Sequence, residues 1–256
     1  MIPPNKIYNL DCIEGMREIE DNSINLVVTS PPYNIGIDYD SYTDKIPFDE
    51  YYKWCKDWMS EIFRVLKPDG KFCLNHYISF GNSKERETPL MDLNYIAVNE
   101  IGFKHHALVL WMDTHRVKYT AWGSWLSASA PYINCPVEGI LILYKDRWRR
   151  DEKGESTISK EEFIESCGGI WRIKPETKEI TKANFPIELP ARWINLLTYK
   201  GDLVLDPFMG GGTTALASAK TGRNYIGFDL SEKYCNIAEK RVKNYTEQHK
   251  LPLEDI

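Results

Sequence analysis

The sequence predicts an α/β fold, a doubly wound, mostly parallel, Rossmann-like sheet that carries one small insertion. Strand-like and helix-like segments alternate on both sides of a charged stretch at 146–182, which is typical of a sheet covered by helices on both faces. Two strand-like segments run into unusual turns, Thr29-Ser30-Pro31-Pro32-Tyr33 and a glycine-rich run at 209–214. Because ligands of open α/β sheets bind outside the carboxyl ends of the strands, these turns are the candidate functional sites.

Hydrophobic periodicity places the elements of the first part of the chain. The apolar run at 24–28 predicts a buried strand. Over 49–66, apolar residues recur every three or four positions, which predicts a helix that Pro68 and Gly70 stop. Further strands are predicted at 71–75, 107–112 and 139–144, and a second helix at 90–101.

The same pattern resumes after the charged stretch. Helices are predicted at 187–197, 213–221 and 231–245, and strands at 202–205 and 224–229. Ser231 is placed to cap the last helix, and Glu232 lies in its first turn, where negative charge is favourable. We therefore expect a first half at 1–145, a small insertion at 146–182, and a second half at 183–256 that completes the same domain.

The composition is that of an ordinary globular protein, with 43% hydrophobic and 27% charged residues in a chain of 256. The sequence has no run of about eighteen apolar residues and no signal-peptide pattern at its start, so a cytoplasmic protein without a membrane partner is expected. Neither the six scattered cysteines nor the pair His105-His106 has the spacing of a metal site. No metal is expected.

Charge gives a mixed indication about nucleic acid. The formal net charge of −5 argues weakly against such a partner, since nucleic-acid-binding domains are often basic. A local cluster nevertheless surrounds Trp148, formed by Lys145, Arg147, Arg149, Arg150 and Lys153. This cluster is compatible either with phosphate contacts or with a solvated loop that the neighbouring acids neutralise.

The turn at 29–33 offers a hydroxyl, two rigid prolines and an aromatic ring. The prolines fix their own φ and extend the residue before each, so the backbone carbonyls there cannot all join regular structure. Ser30, Pro31, Pro32 and Tyr33 would suit a flat substrate that carries an amine. Taken alone, an ordinary surface turn is the simpler interpretation.

The second turn follows the strand-like run at 203–205 and opens a helix. Its glycines would let the backbone approach a ligand closely, and the helix N-terminus supplies free N–H groups. A P-loop would need a lysine after the glycines, and a dinucleotide fingerprint would need a glycine where Ala215 stands. A nucleoside ligand without phosphates fits better, because Asp229 ends the next strand, where such folds place the acid that binds ribose hydroxyls.

In these motifs the chain resembles the beta class of amino-group DNA methyltransferases, and the resemblance spans nearly the whole sequence. The turn at 29–33 resembles their catalytic tetrad, and a catalytic motif placed before the cofactor loop is the order of the beta class. The resemblance implies a Rossmann-like methyltransferase fold and S-adenosylmethionine as the cofactor. It assigns cofactor binding to Asp11, Cys12, Phe185, Asp206, Pro207, Phe208, Gly210, Gly212, Thr213 and Asp229.

The chemistry of an exocyclic base amine explains the need for such a tetrad. The lone pair of the amine is delocalised into the ring, and two hydrogen-bond acceptors at its N–H groups favour a tetrahedral nitrogen with a localised lone pair. Ser30 Oγ and the Pro31 carbonyl are the candidate acceptors, and Tyr33 would stack on the base. The base must leave the duplex to be reached, so double-stranded DNA is the expected partner.

By the same resemblance, a serine in the first tetrad position implies methylation of cytosine N4, whereas an aspartate is associated with adenine N6. Adenine-N6 methylation, methylation of a protein glutamine and a non-catalytic binding module stay open as alternatives. Cytosine-C5 methylation is disfavoured because it needs a nucleophilic thiolate in a Pro-Cys motif, and this chain has only Cys135-Pro136.

Target recognition is expected in the segments 122–132 and 146–182. Base edges are read by individually placed side chains, so the recognised DNA sequence does not follow from composition. A companion restriction endonuclease is suggested by the family and by no residue of this chain. The sequence leaves the oligomeric state undetermined.

Overall fold

The computed structural model describes residues 2–37, 44–81, 86–112, 123–133, 135–176 and 185–248. The strands in these ranges are β1 Lys6–Asn9, β2 Ile24–Thr29, β3 Leu66–Tyr77, β4 Phe80–Gly81, β5 Arg86–Glu87, β6 Lys104–Met112, β7 Val137–Tyr144, β8 Ile170–Arg172, β9 Leu203–Asp206 and β10 Asn224–Asp229. The helices are α1 Cys12–Arg17, α2 Phe48–Val65, α3 Pro89–Tyr95, α4 Lys160–Ser166, α5 Glu188–Leu197, α6 Thr213–Lys220 and α7 Glu232–Gln248, and a π-helical segment, Ile96–Ile101, continues α3.

One sheet of eight strands forms the centre of the molecule, in the order β1-β10-β9-β2-β3-β7-β6-β8. All neighbours from β1 to β3 are parallel, β7 is antiparallel to both β3 and β6, and β8 is parallel to β6. The predicted doubly wound, mostly parallel Rossmann-like fold is confirmed. Because β7 runs against β3, its first residues lie at the edge where β2 and β3 end.

Helices bury both faces of the sheet, which explains why every residue of β2 is buried rather than every second one. Val27 packs in the core that contains Trp58 of α2, whereas Leu26 and Val28 pack in a second core with Trp193 of α5. A third cluster joins α6 and α7 to β1 and β10. None of the helices in the described ranges combines the length and apolar character needed to cross a bilayer.

The described part of the insertion, 146–176, contributes more to the fold than its charged composition indicated. Its strand β8 extends the central sheet, and its Trp171 and Ile173 are buried in the core beside Trp193. Its helix α4 begins with a capping box between Ser159 and Glu162. The insertion therefore shares the main core instead of forming a separate one.

The basic cluster around Trp148 lies at the amino-terminal end of β3, opposite the edge where the two candidate turns lie. The Nζ of Lys145 donates to Asn22 Oδ1 at 2.8 Å, and Arg150 donates to both carboxylate oxygens of Asp202 at 2.5 and 3.2 Å. Arg147 forms an ion pair with Asp151. Lys145, Arg147 and Arg150 therefore have partners within the protein, at the edge of the sheet opposite the candidate turns. The structure does not favour a phosphate-binding role for these three residues.

Replacing Arg150 with methionine should lower the free energy of unfolding by roughly 2–4 kcal/mol, because Asp202 and Asp69 would keep their charges in a poorly hydrated place. All three side chains are no more than 13% exposed. Arg147→Met is the matched control, since its ion pair is more than half exposed, and a change below about 0.5 kcal/mol is expected. Urea unfolding of both variants measures the difference. Equal losses would contradict the structural role of Arg150.

Candidate active site

The two candidate turns lie side by side because β2 and β9 are paired and parallel, with Val27 opposite Leu205. We call residues 29–33 the proline turn and residues 206–214 the glycine loop. Thr29 at the end of β2 donates its hydroxyl hydrogen to Asp206 Oδ1 at 2.8 Å. This single bond joins the first residue of one turn to the first residue of the other.

The buried carboxylate of Asp206 links the two turns through hydrogen bonds. Its Oδ2 accepts a hydrogen bond from Thr214 Oγ1 at 2.6 Å, and its Oδ1 also accepts one from the Phe208 N–H at 3.0 Å. The side chain is buried, and this burial raises the pKa of the Asp206 carboxyl to about 6, while the hydrogen bonds from Thr214 and Thr29 oppose the rise. With both oxygens bound to protein donors, Asp206 supports the loop and does not point out of it.

The glycine loop needs glycine at two positions for different reasons. Gly210 has φ +53°, and a Cβ there would meet no atom within 4 Å, so the backbone faces open space. Gly212 has φ +78°, and a Cβ there would lie 2.5 Å from Ala238 Cβ. The loop is thus open on the side of Gly210 and pressed against α7 on the side of Gly212. Arg241 of α7 donates to the Gly211 carbonyl and closes that side.

The ends of β1 and β10 form the next part of the same edge. Asp229 accepts hydrogen bonds from the N–H groups of Gly210 and Ser231, each at 2.8 Å. Asp11 caps α1 by accepting from the N–H groups of Ile13 and Glu14, at 2.9 and 3.2 Å. Asp229 therefore contacts the glycine loop directly, whereas Asp11 follows β1, the strand next to β10, and each acid also organises its own turn.

The remaining residues assigned to the cofactor are placed less directly. Cys12 and Pro207 are buried, and burial raises the pKa of the Cys12 thiol, which keeps it protonated. Phe208 is half-buried, with its ring 5.5 Å from Trp54 and 5.3 Å from Trp58 between centroids. Thr213 is buried at the first position of α6. Phe185 is half-buried against the core that contains Trp193.

The proline turn is part of a partly buried hydrogen-bond chain. Ser30 Oγ lies 2.7 Å from Tyr33 Oη, and Tyr33 donates its hydroxyl hydrogen to Glu138 Oε2 at 2.9 Å. Asn75 Nδ2 donates to Tyr33 Oη and to Glu138 Oε2, both at 2.7 Å. Burial, followed by the charge of Glu138, raises the pKa of Tyr33 well above its ordinary value, so this hydroxyl keeps its proton.

Aromatic rings fix the rest of the proline turn. The ring of Tyr33 packs against His76, with centroids 4.2 Å apart, and its edge meets Tyr77 at 4.9 Å. Tyr51 donates its hydroxyl hydrogen to the Pro32 carbonyl at 2.8 Å, and His76 Nε2 lies 3.0 Å from the same hydroxyl. Burial lowers the pKa of His76 to about 3, so the imidazole is neutral and adds no charge beside the turn.

Sequence reasoning missed Glu138 and Asn75 because both lie far from the motif in the chain. The strand predicted at 139–144 begins at Val137, so Glu138 lies inside the strand instead of before it. It pairs with Tyr77, which places it at the level of the proline turn. A charged residue at the start of an apolar strand was the available signal, but no spacing rule connects positions 33, 75 and 138.

The two segments expected to recognise DNA both reach this edge. In the segment 123–133, Trp125 and Leu126 are 66% and 89% exposed, and Tyr132 Oη donates to the Gly81 carbonyl at 3.4 Å. Trp122 of the first predicted segment and 177–182 of the second lie outside the described residues. In the insertion, Arg172 at the end of β8 is level with Met112 at the end of β6. Within the described ranges, no three His, Cys, Asp or Glu residues are placed to hold a metal ion.

Comparisons with known proteins agree with this arrangement. A family model described as DNA methylase matches residues 24–240, which include both turns. The Type II methyltransferase M.MjaVI of Methanocaldococcus jannaschii is 45% identical over 163 residues, covering 63% of this chain and 82% of the relative.

Two crystal structures share the fold. TTHA0409 of Thermus thermophilus, in complex with S-adenosyl-L-methionine, matches with a TM-score of 0.76 and 25% identity over 93% of each chain. The cytosine-N4-specific PvuII DNA methyltransferase matches with a TM-score of 0.73 and 20% identity, over 94% of this chain and 91% of that one. At that identity, the second likeness concerns the fold alone.

The two glycines of the loop predict a sharp contrast in stability. Gly212→Ala should lower the free energy of unfolding by about 2–4 kcal/mol, because alanine would be strained at φ +78° and would also clash with Ala238 of α7. Gly210→Ala is the control with the backbone strain alone, and a loss of about 1–2 kcal/mol is expected. Urea unfolding compares the two variants. A Gly210 variant at least as unstable as the Gly212 variant would show that packing against α7 is unimportant.

Proposed function

The chain belongs to the family of DNA methylases that act at N6 or N4 amino groups, and from this membership we propose that it methylates the N4 amine of a flipped cytosine. The methyl donor is S-adenosylmethionine, and the substrate is a specific site in double-stranded DNA. The glycine loop and the ends of β1 and β10 would hold the donor, and the proline turn would receive the base.

The observation that carries this proposal is the hydrogen bond between Thr29 and Asp206, extended to Thr214. It holds the proline turn and the glycine loop at neighbouring strand ends. A methyl donor bound to the glycine loop and a base bound to the proline turn would therefore lie within one site. Much of the rate gain in such a transfer comes from fixing the nitrogen, the methyl carbon and the sulfur in line. The buried hydrogen bonds of Asp206 to Thr29 and Thr214 supply the rigidity that this alignment requires.

The donor fits the open side of the glycine loop. Gly210 leaves room for a ligand and donates its N–H to Asp229, and Asp11 follows the strand next to the one that Asp229 ends. The loop lacks the lysine that a triphosphate would need, which favours a nucleoside with a sulfonium group. The likeness to the S-adenosyl-L-methionine complex of TTHA0409 supports the same assignment.

The acceptors for the amine are Ser30 Oγ and the Pro31 carbonyl. The next carbonyl, that of Pro32, accepts the hydroxyl hydrogen of Tyr51, so it is already engaged. Tyr33 is held by His76 and Tyr77 and would stack on the base. Two fixed acceptors at the N–H groups favour the tetrahedral nitrogen from which transfer proceeds.

Cytosine N4 is our choice of target because the first residue of the tetrad is Ser30. The fold shared with the cytosine-N4-specific PvuII enzyme is compatible with that choice. We further propose that 122–132 and 146–182 contact the DNA around the target, since the described parts of both segments reach the edge of the site. One relative, M.MjaVI, is a Type II methyltransferase. On that likeness we also propose that a companion restriction endonuclease acts on the same DNA site.

The product base tests the proposal directly. Purified protein is incubated with unmodified phage λ DNA and S-adenosylmethionine that carries a labelled methyl group. The DNA is then digested to nucleosides for mass analysis, and N4-methylcytosine is the expected product. N6-methyladenine as the sole product would overturn the choice of base. Label in protein without label in DNA would overturn the proposal that DNA is the substrate. Sequencing that reports both base and position then gives the recognised site.

Ser30→Ala should reduce the rate of methyl transfer by about 100- to 1000-fold, because one of the two acceptors for the amine is lost. The affinity for S-adenosylmethionine, measured by calorimetry, should stay within about twofold, since Ser30 does not belong to the glycine loop. Ser60→Ala, which removes an exposed hydroxyl of α2, is the matched control and should be fully active. An equally active Ser30 variant would refute the proposed mechanism.

A further inference from the structure

We propose that Glu138 is a positioning residue that fixes the direction of the hydrogen bonds in the proline turn, so that Ser30 Oγ meets the substrate amine as an acceptor. The inference rests on the proposed function and adds a residue that the sequence motifs do not contain. It follows from the number of hydrogens in the hydrogen-bond chain of Ser30, Tyr33, Asn75 and Glu138.

The hydroxyl of Tyr33 has one hydrogen, and it is directed to Glu138 Oε2 at 2.9 Å. A carboxylate can only accept hydrogen bonds, so the partner at this position dictates the direction. The Tyr33 oxygen is then left to accept, and it accepts from Asn75 Nδ2 at 2.7 Å. The contact of 2.7 Å between Ser30 Oγ and Tyr33 Oη must therefore use the hydrogen of Ser30.

Asn75 reinforces the same direction. Its Nδ2 has two hydrogens, and it gives one to Tyr33 Oη and one to Glu138 Oε2. The opposite amide orientation would place Oδ1 at 2.7 Å from a carboxylate oxygen, which is repulsive. Among the described residues, Oδ1 of this buried amide has no hydrogen-bond partner. Leaving this buried acceptor unpaired costs free energy. The Asn75 amide keeps this orientation nevertheless, because Tyr33 Oη and Glu138 Oε2 both require a donor.

The consequence concerns the outer side of Ser30. An isolated serine hydroxyl can turn its hydrogen either inward or toward a ligand. Here the hydrogen is held inward on Tyr33, and Ser30 Oγ shows only lone pairs to the site. A substrate N–H therefore meets an acceptor and never a competing donor. In this way a neutral serine is committed to accept hydrogen bonds by a carboxylate that lies two hydrogen bonds away.

Two substitutions of Glu138 separate direction from charge. Glu138→Met removes the acceptor at similar volume, so Tyr33 can turn its hydrogen toward Ser30 and reverse the chain. Glu138→Gln removes the charge but keeps a carbonyl oxygen that can accept from both Tyr33 and Asn75. We expect single-turnover methyl transfer to phage λ DNA to fall about 100-fold with methionine and less than about tenfold with glutamine.

Tyr33→Phe tests whether Glu138 acts through the hydroxyl. This variant should lose about as much rate as Glu138→Met, and the double variant Tyr33→Phe with Glu138→Met should be no slower than Tyr33→Phe alone. Tyr52→Phe is the matched control, because its hydroxyl donates to Asp92 at 2.9 Å outside the chain, and it should transfer at the wild-type rate. The affinity of every variant for S-adenosylmethionine should stay within about twofold.

Each contrary result is informative. Wild-type protein without transfer to DNA overturns the proposed function itself. With an active wild type, the inference is overturned by full activity of Glu138→Met, by an equal loss in the glutamine and methionine variants, or by additive losses in the double variant. Additive losses would mean that Glu138 contacts the substrate directly. A loss of cofactor affinity in Glu138→Met and Tyr33→Phe alike would indicate a structural role instead.

Discussion

The buried carboxylate of Asp206 is the constraint on which the rest of the site depends. It binds a hydroxyl from β2, a hydroxyl from α6 and an N–H of its own loop, so three parts of the chain meet at one side chain. Burying this group is unfavourable for its charged form, which is why its pKa is raised, and the three donors offset that cost. A neutral, apolar residue at 206 could fill the space but could not orient two turns relative to one another.

The strand and helix pattern made much of this arrangement predictable. The run at 24–28 is mostly apolar because β2 is buried on both faces, and the glycines at 210 and 212 mark a backbone that has left ordinary φ values. From these signals the fold, the two turns and their common edge follow. The position of Asp229 also follows, since parallel strands end at the same edge and Asp229 ends β10.

The features that the sequence does not predict depend on strand pairing and packing between distant segments of the chain. Glu138 reaches the proline turn only because β7 is antiparallel to β3, which places the start of one strand beside the end of the other. Nothing in local sequence specifies that pairing, because hydrophobic periodicity reports which face is buried and not which neighbour is adopted. The same limit explains the insertion, in which Trp171 and Ile173 are buried through contacts with α5 and the sheet. Their burial depends on partners that are distant in sequence.

At this edge the carboxylates of Asp206, Asp229 and Glu138 share one property, which is that each orients a neighbouring group of the protein. Asp206 orients Thr29 and Thr214, Asp229 accepts from the Gly210 backbone, and Glu138 accepts from Tyr33. A carboxylate aimed directly at a sulfonium would favour the charged methyl donor before reaction more than in the transition state, where that charge is partly neutralised, and would slow transfer. Holding negative charge one or two hydrogen bonds away avoids this penalty. It still allows the charge to orient Ser30, through Tyr33, and the backbone of Gly210.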